Sequence, residues 1–351
     1  MKVLPYLRPA ATAGILALLL SGCSFPGASP SAQIDPPPAD VEAQMLSGLE
    51  DQVHLELSAK DETLTTVYVS NGQGLLVPVA IPLSSSQKDK RTLALQALVK
   101  NGPYQTKLPA GFTAVLPEGT EVQSLTVKED EKLAVVEFTK PFAGYEAKDE
   151  RKIIEAITWT LTSDPQVQNV EIWVEGQRLN EMPVDHTPLA HPLNRSAGIN
   201  LELDQNVSLA QTRPVTLYFT ATSSSGDPYF VPVTRLVPAG GDPVQAALGE
   251  LLRGPLGENG LEEVLTTGAK LESVKTSKEG VVTVSLKDEM FENGDKLPAQ
   301  MLQSVVLTVT ENAKGSKVRI QLNGSEEVIG SDNQRYSDPV SKPAVINNLP
   351  V

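Results

Sequence analysis

Three histidines, His54, His186 and His191, are the only imidazoles available for acid–base or metal chemistry. His186-Thr187-Pro188-Leu189-Ala190-His191 sets two of them five residues apart with a proline between. That suits neither the i, i+4 spacing of a helical zinc site nor a dedicated chelating loop, so these read as ordinary loop histidines and no metal is expected. No Ser-His-Asp relay, Gly-x-Ser-x-Gly elbow or phosphate loop is visible. Asn71-Gly72-Gln73-Gly74 reads instead as a hairpin turn. Carboxylates are plentiful, and two of them flanking a glycosidic bond could cleave it. Glu155 falls on an expected helix, Glu171 and Glu175 on an expected strand, and Glu129-Asp130-Glu131 on a hairpin tip that reads as a solvated acidic turn. Sugar-cleaving acids normally stand beside stacking aromatics, and the chain has two Trp. No catalytic residue and no cofactor is therefore expected.

Trp173 is the side chain that chemistry leaves unexplained. Val170, Ile172 and Val174 alternate with Glu171, Trp173 and Glu175, so the apolar set faces in and Trp173 stands on the wet face of a sheet. An outward Trp is either packed by a neighbour within the chain or anchors a partner, as aromatics do at interfaces. Trp173, Glu171 and Glu175 are the candidate contact residues.

The remaining reactive group is Cys23, the single Cys of 351 residues. It allows no intrachain disulfide, thiolate cluster or redox pair. It follows Lys2, Arg8 and a largely apolar run from Ala10 to Leu20, too short to span a bilayer of about 30 Å. Leu20-Ser21-Gly22-Cys23 is similar to the lipobox of bacterial lipoproteins. On that reading residues 1–22 are a signal peptide, Cys23 carries lipid such as palmitate, and the mature chain is held extracytoplasmically on a membrane. Residues 23–63 hold eight acidic residues against one basic, Lys60, with Asp35-Pro36-Pro37-Pro38 among them. Most of this reads as a solvated tether with a reach of roughly 35 Å, and a short helix within 41–57 is left open. The net charge of −14 argues against nucleic acid as a partner, since phosphates must be met by clustered Lys or Arg.

These residues must be positioned by elements, and the elements occur twice. Val67-Tyr68-Val69 recurs as Leu217-Tyr218-Phe219, Val77-Pro78-Val79 as Val231-Pro232-Val233, and the stop Gly102-Pro103 as Gly254-Pro255. Ile157 to Thr162 recurs as Val305 to Thr310, and Gly176 as Gly324, all in the same order. Two domains, 64–184 and 214–332, are therefore expected, with a linker at 185–213 and a tail at 333–351. In each copy the pattern predicts a hairpin (Thr65 to Ser70, Leu75 to Ile81), a helix over Lys88 to Asn101 and a hairpin over Glu121–Val127 and Leu133–Phe138. A second helix, Ala147 to Thr162, and a closing strand complete it; the β-branched end of that helix also fits a strand. Asp242-Pro243 starts the first helix of copy two as an N-cap followed by Pro. The class is α+β: two tandem copies of a small domain with two helices packed on one face of a mostly antiparallel sheet.

The lipobox, the Pro-rich tether and the duplication, with Ala114-Val115-Leu116-Pro117-Glu118-Gly119-Thr120 and the helix stops at Gly102-Pro103 and Gly254-Pro255, resemble the GerM-type sporulation and germination lipoproteins with tandem GerMN domains. In the second copy Gly260-Leu261-Glu262-Glu263-Val264-Leu265 replaces the Leu108 to Phe112 stretch. The family is similar in fold to ring-building domains. The resemblance implies a non-enzymatic role: assembling or stabilising a complex around the forespore, with effects on spore cortex and germination. It implies protein partners in the sporulation envelope or channel complex, and a place on the outer forespore membrane facing the intermembrane space. Two other readings stand beside it. An extracytoplasmic lipoprotein that captures a peptide or peptidoglycan fragment predicts a large cleft between the copies, and a cell-wall-modifying enzyme predicts converging acids.

Overall fold

The computed structural model describes residues 62–84, 89–189, 192–203, 211–257, 259–292 and 294–351, all within one compact unit, Leu57–Val351. Cys23, the signal peptide, almost all of the tether, His54 and His191 lie outside the described residues.

Valines and β-branched residues at alternate positions make β1 (Glu62–Ser70), which pairs antiparallel with β2 (Leu76–Ser84), Tyr68 opposite Pro78. Asn71 builds the turn: its side-chain oxygen accepts from the N–H groups of Gln73 and Leu75, and Gly74 takes a φ of +83°. α1 (Lys90–Gln96) is capped by Asp89 and ends earlier than the pattern predicts. The chain leaves the helix because Val99 bridges Leu116 and the Lys100 N–H bonds to Leu116 O at 3.0 Å. β3 (Val122–Lys128) and β4 (Leu133–Phe138) form an antiparallel pair. α2 (Glu150–Leu161) then carries the chain across to β5 (Asn169–Val174), parallel to β4, and β6 (Gln177–Arg178) ends a sheet ordered β3-β4-β5-β6.

The second copy repeats this plan. It consists of β7 (Thr212–Thr222), β8 (Pro228–Pro238), α3 (Pro243–Leu252), β9 (Lys270–Thr276), β10 (Val281–Lys287), β11 (Lys296–Leu297), α4 (Ala299–Asn312), β12 (Lys317–Leu322) and β13 (Ile329–Gly330). Its sheet is ordered β12-β10-β9, with β10 parallel to β12. Asp242 caps α3 as the sequence indicates, accepting from Gln245 N–H at 2.9 Å with Pro243 in the first turn.

The α+β class holds, and each leading hairpin forms its own two-stranded sheet instead of extending the larger one. The reason lies on the helices. α2 is buried on nearly all sides, and its β-branched end is helical because those side chains serve the hairpin. Thr160 Oγ1 accepts the Tyr68 N–H at 3.0 Å, and the Trp159 ring lies 5.5 Å from that of Tyr68. In copy two, Thr308 Oγ1 accepts the Tyr218 N–H at 3.1 Å, and Ser304 Oγ donates to Tyr218 O. The Asn312 amide bonds both Thr216 N–H and Thr216 O. Hydroxyls and an amide thus close a strand edge that would otherwise stand open.

Glu150, only 1% exposed at the first turn of α2, accepts from the N–H groups of Val184, Asp185 and Thr187 and from the Tyr145 hydroxyl, at 2.8 to 3.2 Å. Burial works against its charge, but these donors outweigh burial and bring its pKa down to about 2. A depressed carboxylate pKa contributes stability that is whole above the ordinary value of 4.5 and is lost as pH falls from there toward 2. Glu150→Gln is expected to cost about 2–3 kcal/mol at neutral pH. The variant should also show a flatter loss of stability through the acid range, read from urea unfolding across pH.

Candidate interaction surface

The outer face of the first sheet carries the residues singled out in the sequence. Trp173 is half-buried and stands between Glu137 of β4 and Arg178 of β6, its partners in register. The Trp173 Nε1–H points to Glu171 Oε2 at 3.4 Å, and Arg178 Nε lies 3.4 Å from the same oxygen. Glu137 accepts from Ser124 Oγ at 3.1 Å and from Gly176 N–H at 2.8 Å. Trp173 and Glu171 therefore meet on this face. Glu175 leaves it: it has a φ of +49° in the turn after β5, and its carboxylate accepts the Lys140 N–H at 3.0 Å.

The other carboxylates do not converge. Glu155 on α2 faces the interior, bonded to Arg151 Nε at 2.6 Å and to the Asn200 N–H at 3.0 Å. The first sheet stands between it and Glu171. Burial holds the Glu155 carboxyl above its ordinary range despite those two partners. Lys128 pairs with Glu131 at the hairpin tip, 3.9 Å apart. His186 Nδ1 lies 2.9 Å from Glu181 Oε1 on an exposed turn. Among the described residues no group of three His, Cys, Asp or Glu is placed to hold a metal.

What the sequence reading missed is how the two copies are held together. Inside the stretch read as linker, Leu193 pairs with Val170 of β5, and residues 199–202 are built into the second hairpin: Ile199 and Glu202 exchange backbone hydrogen bonds with Thr234. Asn200 reaches across. Its side-chain oxygen accepts from Leu76 N–H at 2.8 Å, and its amide donates to Leu76 O and to Pro232 O at 2.7 and 2.8 Å. Asn347, in the stretch read as tail, makes the mirror set: Phe230 N–H at 2.8 Å, Phe230 O at 2.8 Å and Pro78 O at 2.7 Å. Each asparagine ties β2 to β8. The signal was present: Ile199-Asn200 and Ile346-Asn347 follow their copies alike, each with a basic residue five positions earlier, Arg195 and Lys342.

Those two cations share one carboxylate. Both Glu311 oxygens lie 2.9 Å from Arg195 Nη1, and Lys342 Nζ is 2.7 Å from Oε2. Arg195 also stacks 4.3 Å above the Trp159 ring, and the Tyr218 hydroxyl lies 3.4 Å from Glu311. Burial opposes the Glu311 charge, but Arg195 and Lys342 overcome it and bring its pKa to about 2. The Tyr68 and Tyr218 hydroxyls, fully buried, are pushed up by desolvation. The seam is thus filled by side chains. A cavity of about 90 Å³ lined by Ser70, Lys100, Thr113, Asp149 and Lys152 lies within the first copy, far below the size of an ordinary ligand site.

A family model described as sporulation and spore germination, Germane, matches residues 66–180 and 216–328, one match per copy. The chain belongs to that family. It is 33% identical to the spore germination protein GerM of Bacillus subtilis (strain 168) over 350 residues, covering 94% of each chain. The solved tandem GerMN domains of the sporulation protein GerM from Bacillus subtilis superpose with a TM-score of 0.76 at 34% identity, spanning 81% of this chain and 99% of that one. The GerM-type resemblance read from the sequence is therefore sound, and the α+β plan is that of tandem GerMN domains.

Both Trp residues lie in the first copy, so fluorescence reports that copy while circular dichroism reports both. Asn200→Ala with Asn347→Ala leaves buried backbone groups on β2 and β8 unpaired and is expected to cost about 2–4 kcal/mol in total. The two signals should coincide during urea unfolding of the parent chain and separate in the double variant.

Proposed function

We propose that this chain is a non-enzymatic, lipid-anchored lipoprotein of the sporulating cell envelope. It assembles or stabilises a protein complex around the forespore, with consequences for spore cortex and germination. One observation carries the reading: Tyr68, Tyr218, Asn200 and Asn347 fill the seam in which a captured ligand would lie. Among the described residues the two copies consequently offer surfaces rather than a cleft between them. Membership of a sporulation and germination family supports the process. The Leu20-Ser21-Gly22-Cys23 motif supports lipid on Cys23 and an extracytoplasmic position, and the resemblance to GerM-type lipoproteins supports the outer forespore membrane, facing the intermembrane space, as the place.

We assign the protein contact to the outer face of the first sheet. A half-buried aromatic ring framed by the Glu171–Arg178 pair has the composition of an interface anchor, and Glu175 borders it. A peptide- or peptidoglycan-binding lipoprotein needs the cleft that the seam occupies. A wall-modifying enzyme needs acids facing one another, and Glu155 and Glu171 stand on opposite sides of a sheet.

Trp173→Ala is expected to impair recruitment of the partner complex in sporulating cells, scored by localisation of a fluorescent partner, while changing stability by less than about 1 kcal/mol. Undisturbed recruitment would sink the assignment. A loss of several kcal/mol would make the ring a core residue instead. Cys23→Ala should shift the protein from the membrane fraction to the soluble fraction.

A further inference from the structure

The outer face of the second sheet has a different chemistry from the first. Its inward residues Val282, Val284, Leu286, Val318, Ile320 and Leu322 are buried, so Thr283, Ser285, Lys317, Arg319 and Gln321 point outward. Lys275, Thr283 and Arg319 are aligned in register across three strands, and Lys317 stands on the same side one pleat along β12. All three cations are exposed, and among the described residues none has a carboxylate within ion-pair distance. Ser285 Oγ donates to Gln321 Oε1 at 2.9 Å, setting hydroxyl and amide among the cations, and exposed Glu272, at the bulge of β9 opposite Ser285, is the acid that borders them on that strand. The equivalent positions of the first sheet hold Thr126, Val135, Glu171 and Asn169, with Trp173 where Gln321 stands.

We propose that this face is a docking surface for an anionic lipid bilayer. Residues 215–332 carry ten basic residues against sixteen acidic, so an open basic face on this copy runs against its overall charge. Acids further away than about 10 Å do not cancel it, because they are largely screened at physiological salt, and the nearer Glu272 and Glu279 form no ion pair with the three cations. The composition selects lipid over protein. Protein interfaces are built on aromatic anchors and are depleted in Lys, whereas this face has no aromatic residue, and Lys275, Lys317, Arg319, Thr283 and Ser285 make it mostly cation and hydroxyl. A fluid headgroup layer needs only cations near its phosphates, not a complementary shape. The proposal stands apart from the lipid on Cys23 and from the protein contact at Trp173, and it is tested without either.

The unit 57–351 holds both cores, and the relative's tandem domains have been solved as an isolated piece. Flotation of this unit with vesicles of phosphatidylglycerol in phosphatidylcholine should exceed flotation with phosphatidylcholine alone, and should weaken as salt is raised. The combined substitution Lys275→Glu, Lys317→Glu and Arg319→Glu should reduce partitioning at least about tenfold. An equal charge change in the first copy, Lys90→Glu, Lys100→Glu and Lys140→Glu, should leave most of it. All six residues are exposed, and thermal unfolding followed by circular dichroism verifies that both variants are folded. Equal binding to neutral vesicles, equal loss in the two variants, or no binding at low salt would overturn the proposal. So would release by inorganic phosphate at matched ionic strength, or binding to poly-L-glutamate without binding to vesicles; these would assign the face to free phosphate or to an acidic polypeptide.

Discussion

A two-stranded ribbon has two edges, and buried backbone groups on an edge must find partners or cost about 1–3 kcal/mol each. In this molecule each leading hairpin meets that demand with two devices. The helix of its own copy closes one edge, through Thr160 at Tyr68 and through Ser304, Thr308 and Asn312 at Tyr218 and Thr216. The other edge belongs to the seam between the copies. There β2 presents Leu76, Pro78 and Ala80, and β8 presents Phe230, Pro232 and Thr234. Pro78 and Pro232 have no N–H, so the two strands cannot pair directly along this line. An asparagine side chain supplies what is missing. One carbonyl oxygen takes the N–H of Leu76 or Phe230, and one NH₂ group reaches both that residue's carbonyl and the proline carbonyl opposite.

The seam is reciprocal, and this makes two modules into one body. The segment after the first copy lies on the second hairpin, while the end of the chain lies on the first, where the Ala80 N–H bonds to Asn347 O. Neither hairpin is finished without the chain that follows the other copy. The supporting contacts have drifted apart since the duplication. Glu155 holds the Asn200 backbone in the first copy, but its counterpart Gln303 binds Asp332. Arg195 and Lys342 are equivalent cations, yet only the second copy supplies a carboxylate; Ser163 stands where Glu311 would be expected. Replacing Glu311 alone would leave two partly buried cations facing each other, which makes it the most sensitive point of the seam.

Much of the fold could be read from the sequence because its determinants are local. Asn71-Gly72 marks a turn, Asp242-Pro243 marks a helix start, and the Val170-Ile172-Val174 alternation marks a strand and the outward side of Trp173. The errors arise where a distant contact decides. α1 stops at Gln96 because Val99 and Lys100 pair with Leu116, a partner that helix periodicity cannot reveal. The Thr-Trp-Thr run of α2 is helical as expected, and a distant contact again accounts for its β-branched residues, since Thr160 Oγ1 accepts the Tyr68 N–H. Asn200 and Asn347 lie in stretches that composition assigns to linker and tail, and a lone Asn in such a stretch reads as turn chemistry. Two clues were available together: a proline inside an otherwise central-looking strand, which demands an edge, and the same Ile-Asn pair following both copies.

The same division between inward and outward residues explains where the copies were free to differ. Buried inward positions of both sheets hold Val, Ile, Leu, Phe or, at Ala134, alanine, because they share a core with a buried helix. Outward positions answer only to solvent and partners, and there the copies diverge: Glu171 against Arg319, Asn169 against Lys317, Thr126 against Lys275, Trp173 against Gln321. A duplicated domain joined end to end by a flexible segment could vary its faces but not fix them relative to each other. The asparagine seam removes that freedom. Two faces of unlike chemistry, one aromatic with paired charges and one basic and without ion pairs among the described residues, are thereby carried on a single support, the arrangement that the two proposed contacts, to a protein and to a bilayer, require.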